Sequence, residues 1–177
     1  MTAVRAALFS LIAVAGAASA AGQSPWYVGA DVGAQTGRSD GVSGRAYAGY
    51  ELGSGLALRP AQTHAVELAV FSLGLDNHGT EARAEGVAIN WATLLKVSDK
   101  VSLSGRLGAH YAWTTSRDGD GWRQTVDRPG VLAGVGLAYT LTPKLVLRTD
   151  LTYMPLQLNP NERAKAPTLT IGLRYGF

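Results

Sequence analysis

The residues best able to do chemistry are three histidines, His64, His78 and His110, and a scattered set of carboxylates and guanidinium groups. An imidazole serves as a general base when a nucleophile lies within hydrogen-bond reach. His110 is followed by Tyr111-Ala112 with no serine two positions on, the chain holds no Gly-x-Ser-x-Gly elbow, and cysteine is absent. The histidines are isolated from one another, which does not suit a metal site. Asp118-Gly119-Asp120-Gly121 opens like a calcium loop but lacks the later ligands and the closing glutamate, so it reads as a loop tip with Trp122 beside it. No cofactor or metal is expected. What remains is a set of charges that could pair with one another: Asp31, Arg45, Glu51, Glu67, Glu85, Arg106, His110, Arg148, Asp150 and Arg174. Five acids, four arginines and one histidine, spread thinly along the chain, need a fold that gathers them.

The elements that could gather them are strands, whose successive side chains point to opposite faces. In WYVGADVGAQ, Trp26, Val28, Ala30, Val32 and Ala34 are apolar, and Asp31 falls on the other parity. GRAYAGYEL gives Ala46, Ala48, Tyr50 and Leu52 against Arg45 and Glu51. AVELAVFSL gives Val66, Leu68 and Val70 against Glu67. EGVAINWATLLKV sets Val87, Ile89, Trp91, Thr93, Leu95 and Val97 against Glu85, Asn90 and Lys96. VSLSGRLGAHYAW opposes Val101, Leu103, Leu107, Ala109, Tyr111 and Trp113 to Arg106 and His110. GVLAGVGLAYTL opposes Val131, Ala133, Val135, Leu137, Tyr139 and Leu141 to Gly130, Gly134, Gly136 and Thr140. LVLRTDLTY opposes Leu145, Leu147, Thr149, Leu151 and Tyr153 to Arg148 and Asp150. The closing TLTIGLRYGF opposes Leu169, Ile171, Leu173, Tyr175 and Phe177 to Arg174. Across the eight segments the apolar parity is expected to carry no ionisable residue.

A soluble sandwich would also alternate, but its polar face would meet water and carry many lysines and glutamates. Here that face is half Gly, Ala, Ser and Thr with charges of both signs, which suits a narrow lumen filled by side chains between strands that face lipid. Composition agrees. The 177 residues fit one domain, only 16% are charged, and 22 are glycine. The formal charge of +3 comes without any basic run, so nucleic acid is not an expected partner. MTAVRAALFSLIAVAGAASA has one positive charge at Arg5, an apolar run to about Ala18 and a small-x-small end, the pattern of a secretory signal cleaved after Ala20. Its apolar run falls short of the ~20 residues of a spanning helix. The expected organisation is therefore a signal peptide over 1–20 and a barrel over 21–177.

Val97-Ser98-Asp99-Lys100 and Thr142-Pro143-Lys144 read as tight turns, whereas TGRSDGVS, LDNHGTEAR, TTSRDGDGWRQTVDR and PLQLNPNERAKAP read as longer polar loops. Short turns at one end and long loops at the other mark an outer-membrane barrel with its loops outside the cell. The segment from Gly53 to Thr63 is long for a turn on the short-turn side. This orientation sorts the aromatics into two girdles: Trp26, Tyr50, Trp91, Tyr139, Tyr175 and Phe177 towards the periplasm, and Tyr111, Trp113 and Tyr153 towards the outside.

From Trp26 to Phe177 the chain resembles the eight-stranded transmembrane domain of the OmpA-like outer-membrane protein family. The resemblance is carried by the order and spacing of WYVGADVG, GYEL, EGVAIN leading into Val97-Ser98-Asp99, Arg106-Leu107-Gly108, Ala133-Gly134, Tyr139 with Leu141-Thr142-Pro143, Arg148 with Asp150, and LRYGF. It implies an all-β, eight-stranded antiparallel up-and-down barrel in the outer membrane of a Gram-negative bacterium. It also implies that Phe177, with apolar residues at alternate positions before it, is read by the barrel-assembly machinery. Glu67 and Arg148 match two members of the family's internal ion-pair network, while Ala92 and Ala138 stand where that network has a lysine and a glutamate. The family's larger members add a peptidoglycan-binding domain, and no such tether is expected in this chain.

Two readings of the inward charges stand side by side: a paired plug, since buried charge needs partners, and a narrow ion path. The expected function is a non-enzymatic barrel that contributes to envelope integrity and makes contacts through its surface loops. Its expected partners are outer-membrane lipids and lipopolysaccharide, with any surface ligand unspecified. A lipid-modifying enzyme built on His110 and a low-conductance channel are the alternatives.

Overall fold

The computed structural model describes residues 24–35, 41–52, 62–77, 80–117, 123–159 and 162–177. The expected signal peptide over 1–20, the stretch 53–61, His78 and the aspartates and tryptophan of 118–122 lie outside the described residues. Eight strands follow one another: β1 (Trp26–Gln35), β2 (Val42–Glu51), β3 (Gln62–Asn77), β4 (Thr80–Lys96), β5 (Val101–Arg117), β6 (Arg123–Thr142), β7 (Leu145–Asn159) and β8 (Glu162–Gly176). Each pairs antiparallel with its neighbours, and β1 closes on β8 from Tyr27↔Gly176 to Gln35↔Thr168. Closure of β1 on β8 leaves neither terminal strand as an open edge in the bilayer, where an unpaired backbone group would have no water to bond.

The alternation seen in the sequence sets which side faces out. Val32, Leu68, Ile89, Leu107, Val135, Leu151 and Ile171 stand exposed on the outer wall, one from each strand but β2, while the intervening residues close around the axis. On β2 the outward set is Val42, Ala46, Ala48 and Tyr50. Val70 shares the outward parity of β3 yet is buried.

Strand lengths are unequal. β1 and β2 have 10 residues each; at about 3.3 Å per residue and a tilt of about 40° they rise about 25 Å, the height of the apolar band. β6 has 20 residues and rises about twice as far. Three of the expected loops are therefore mostly strand. Asn77↔Thr80, Arg117↔Arg123 and Asn159↔Glu162 pair close to the hairpin tips. Above the membrane the outward parity meets water, so its apolar signature ends while the backbone ladder continues. Gln62 and Thr63, expected within the long β2–β3 connection, belong to β3.

The wall is not uniform. The β6–β7 ladder runs from Thr142↔Leu145 only to Ala133↔Tyr153, although β6 begins at Arg123 and β7 continues to Asn159. Two prolines, Pro129 on β6 and Pro155 on β7, lie just past the break. A proline offers no N–H to a ladder and suits a strand edge.

Candidate functional site: the barrel interior

The inward faces of β3, β5 and β7 carry the centre of the interior. Glu67 accepts from Arg106 Nε at 3.1 Å through Oε2, and from Arg148 Nη1 at 2.9 Å through Oε1. Asp150 Oδ2 accepts from Arg106 Nη2 at 3.2 Å and lies 3.5 Å from Arg148 Nε. Ser104 donates to the second oxygen of Asp150 at 2.9 Å. Side-chain exposure in this quartet is 3% or less. Two flanking pairs complete the set: Arg45 with Asp31 on β2 and β1, and Arg174 with Glu51 on β8 and β2. The interior pairs thus set four carboxylates against four guanidinium groups, the condition under which buried charge is tolerated.

Tyrosines that the sequence reading did not single out join this network. Tyr27 donates to Glu67 Oε1 at 3.0 Å and lies under the Arg174 guanidinium, 3.7 Å from ring centre to Cζ. Tyr47 faces Arg45 and Arg148 at 4.6 and 5.6 Å. Their placement depends on glycine. Tyr27 pairs with Gly49 and Gly29 with Tyr47, and a Cβ on either glycine would come within 2.4 Å of the opposing ring. Both tyrosines share parity with charged inward residues, Asp31 and Arg45, and that was the available signal. Ala92 and Ala138 are buried opposite Arg106 and Arg148, so the space next to the two arginines is apolar.

Glu85 departs from expectation. It lies two positions from Val87 and shares its outward parity; the structure pairs it with Trp113 and sets it 2.8 Å from Arg83 on the outer surface. Its removal from the interior set is what makes the remaining charges balance. His64, beside Trp91 and Thr93 near the periplasmic end, and Asp127, which accepts from the Tyr111 hydroxyl at 2.5 Å, also sit on the outward parity. All lie near strand ends, where outward positions approach headgroups and water. The expectation of a wholly uncharged outward parity therefore holds for mid-strand positions but not for the ends.

His110 is inward and buried, edge-on to Phe71 at 6.0 Å between ring centres. It belongs to a separate layer. Phe71, Leu73, Leu132 and Met154 belong to the buried apolar cluster, and among the described residues His110 makes no hydrogen bond or ion pair to an interior acid. The aromatic residues fall at two heights. Trp26 meets Tyr50 edge-on at 5.0 Å and Tyr175 meets Phe177 at 5.5 Å at the short-turn end, with Tyr139 opposite Val101; Tyr111 meets Trp113 at 5.3 Å towards the other end, with Tyr153 on β7. Trp91 lies on the short-turn half beside His64.

The family model described as outer membrane protein beta-barrel domain matches residues 6–177. The chain belongs to that family. It is accordingly a small eight-stranded barrel of the Gram-negative outer membrane, as the resemblance to OmpA-like proteins implied. Among solved structures, this family member is similar in fold to Neisserial surface protein A, with 19% identity over 89% of this chain and 100% of that one at a TM-score of 0.66. It is likewise similar to Ail, the attachment invasion locus protein of Yersinia pestis, with 16% identity over 89% and 100% at 0.57. The N-terminal β-barrel domain of Pseudomonas aeruginosa OprF shares 14% identity over 88% and 100% at 0.55. No curated protein matches the sequence closely enough to count as a relative.

Proposed function

We propose that this family member is a non-enzymatic, non-conducting barrel that contributes to envelope integrity and presents its hairpin ends for contact at the cell surface. The observation that carries this reading is the buried quartet of Glu67, Arg106, Arg148 and Asp150, which ties β3, β5 and β7 together across the lumen. An eight-stranded barrel leaves an interior just wide enough for side chains, and here paired charge fills it. The apolar layer of Phe71, Leu132 and Met154 above the ion pairs adds a second obstruction. The length of β3 to β8 supports the surface role, because these strands reach beyond the apolar band. At the opposite end, the carboxy-terminal strand pairs with β1 and ends in the Tyr175–Phe177 contact, in keeping with recognition by the barrel-assembly machinery. Lipopolysaccharide and phospholipid are its proposed surroundings, met by the exposed outer wall and the girdles.

Purified protein inserted in planar bilayers tests the closed lumen. We expect no resolvable current steps under applied potential, and a regular unitary conductance from wild-type protein would overturn the reading. Labelled lipopolysaccharide incubated with the same preparation should keep all its acyl chains.

A further inference from the structure

The break in the β6–β7 ladder coincides with a cavity. Past Ala133↔Tyr153 the two strands are no longer paired, and a space of about 300 Å³ runs between them into the lumen, lined by His110, Thr114, Val126, Arg128, Pro155 and Leu156. The inner lining comes from inward positions of β5, β6 and β7. At the mouth stand Pro129, Val131 and Pro155, which are outward positions. Val131 is 66% exposed, and Tyr153 of the outer girdle lies at the foot of the break. The opening therefore faces sideways, at headgroup depth, towards the outer leaflet. A site reached only from above would not need a gap in the wall.

Two polar groups in the cavity have no partner among the described residues. His110 is 5% exposed and its Nδ1 has no hydrogen-bond partner. Gly130 makes room for its ring, since a Cβ there would come within 2.5 Å of it. A buried polar atom without a partner is uncommon and costs stability unless something satisfies it. Arg128, on the inward parity of β6, is exposed and makes no ion pair with any described residue.

We propose that this opening binds an outer-leaflet lipid with an anionic headgroup. One acyl chain passes between β6 and β7 and lies against Val126, Pro155 and Leu156, and the headgroup anion is held by Arg128 and by an N–H of His110. The cavity is at the small end of ligand sites and mixes an apolar wall with a few polar groups, the usual composition of such sites. The space lies above the ion pairs, so the proposal stands or falls separately from the closed lumen.

Because the chain has no cysteine, a single one can report on the cavity. Leu156→Cys, and separately Val126→Cys, are labelled with a bimane fluorophore and placed in vesicles containing either phosphatidylglycerol or phosphatidylcholine with a nitroxide midway along one acyl chain. Leu107→Cys on the outer wall serves as the bulk-lipid control. Heat-modifiable migration on a gel verifies that each labelled protein is folded, and either cavity position suffices. We expect both cavity reporters to be quenched about fivefold more effectively by the anionic lipid, the effect of one cation beside an anionic headgroup. Arg128→Gln should remove that preference, and the control should not distinguish the lipids. The proposal is overturned if the cavity reporters escape both lipids while the control is quenched, or if both lipids quench them equally. It is also overturned if a water-soluble anionic nitroxide quenches them as strongly as phosphatidylglycerol does, which would mark a site for soluble anions.

Discussion

Glu67→Ala is expected to destabilise the barrel by about 3–5 kcal/mol, the cost of leaving buried charge uncompensated, read as a shift in the urea unfolding transition in lipid vesicles. Glu67 is the hub of the interior: it accepts from Arg106, Arg148 and Tyr27 at once. Without it, two guanidinium groups with side chains 1% exposed share the single carboxylate of Asp150. Glu67→Gln keeps an amide oxygen for one of these donors while losing the charge, so its loss should fall between wild type and alanine. Adding Arg148→Ala to Glu67→Ala should cost much less than the sum of the two single changes, because both remove one shared interaction. Additive losses would mean that the ion pairs contribute independently of one another, contrary to the geometry.

The second large effect concerns the outer wall. Ile171 is outward on β8, between Leu169 and Leu173 and 51% exposed. Ile171→Arg should cost about 2–4 kcal/mol, as a cation at the bilayer midplane does, whereas Leu141→Arg, beside the Thr142 turn at the periplasmic interface, should cost about 0–1 kcal/mol. Unfolding midpoints of the two variants in the same vesicles make the comparison. Equal losses would show that depth in the membrane does not govern the penalty, and that Ile171 does not face hydrocarbon.

Particular residues show how far the sequence could be read. Asp31, Glu67, Arg106, Arg148 and Asp150 were legible as inward because strand parity is strict over the membrane-crossing segment, where apolar neighbours fix the phase. Their pairing was not legible, since contact between β3, β5 and β7 across the lumen depends on stagger and tilt rather than on sequence spacing. Glu85 was assigned inward from its charge, but it lies two residues from Val87; position within the strand, not side-chain type, decides the face. The polar stretches after Leu73, Trp113 and Tyr153 read as loops because the apolar signal disappears where water replaces lipid, although the ladders persist there. His64 escaped for the related reason that β3 starts three residues before the apolar run. Tyr27 and Tyr47 had only their parity to mark them; the opposing Gly49 and Gly29 leave room for their rings inside the barrel, in close contact with the charges. The β6–β7 opening had a faint trace in Pro129 and Pro155, but only the ladder shows that the two prolines face one gap.

Over the membrane-crossing part of every strand, side chains alternate between lipid and the barrel interior. Single cysteines at Leu169, Thr170, Ile171 and Leu173 of β8, each labelled with bimane in vesicles carrying a mid-chain nitroxide lipid, test this alternation most directly. The account predicts strong quenching at Leu169, Ile171 and Leu173 and little at Thr170. Uniform quenching along the strand, or stronger quenching at Thr170 than at its neighbours, would contradict it.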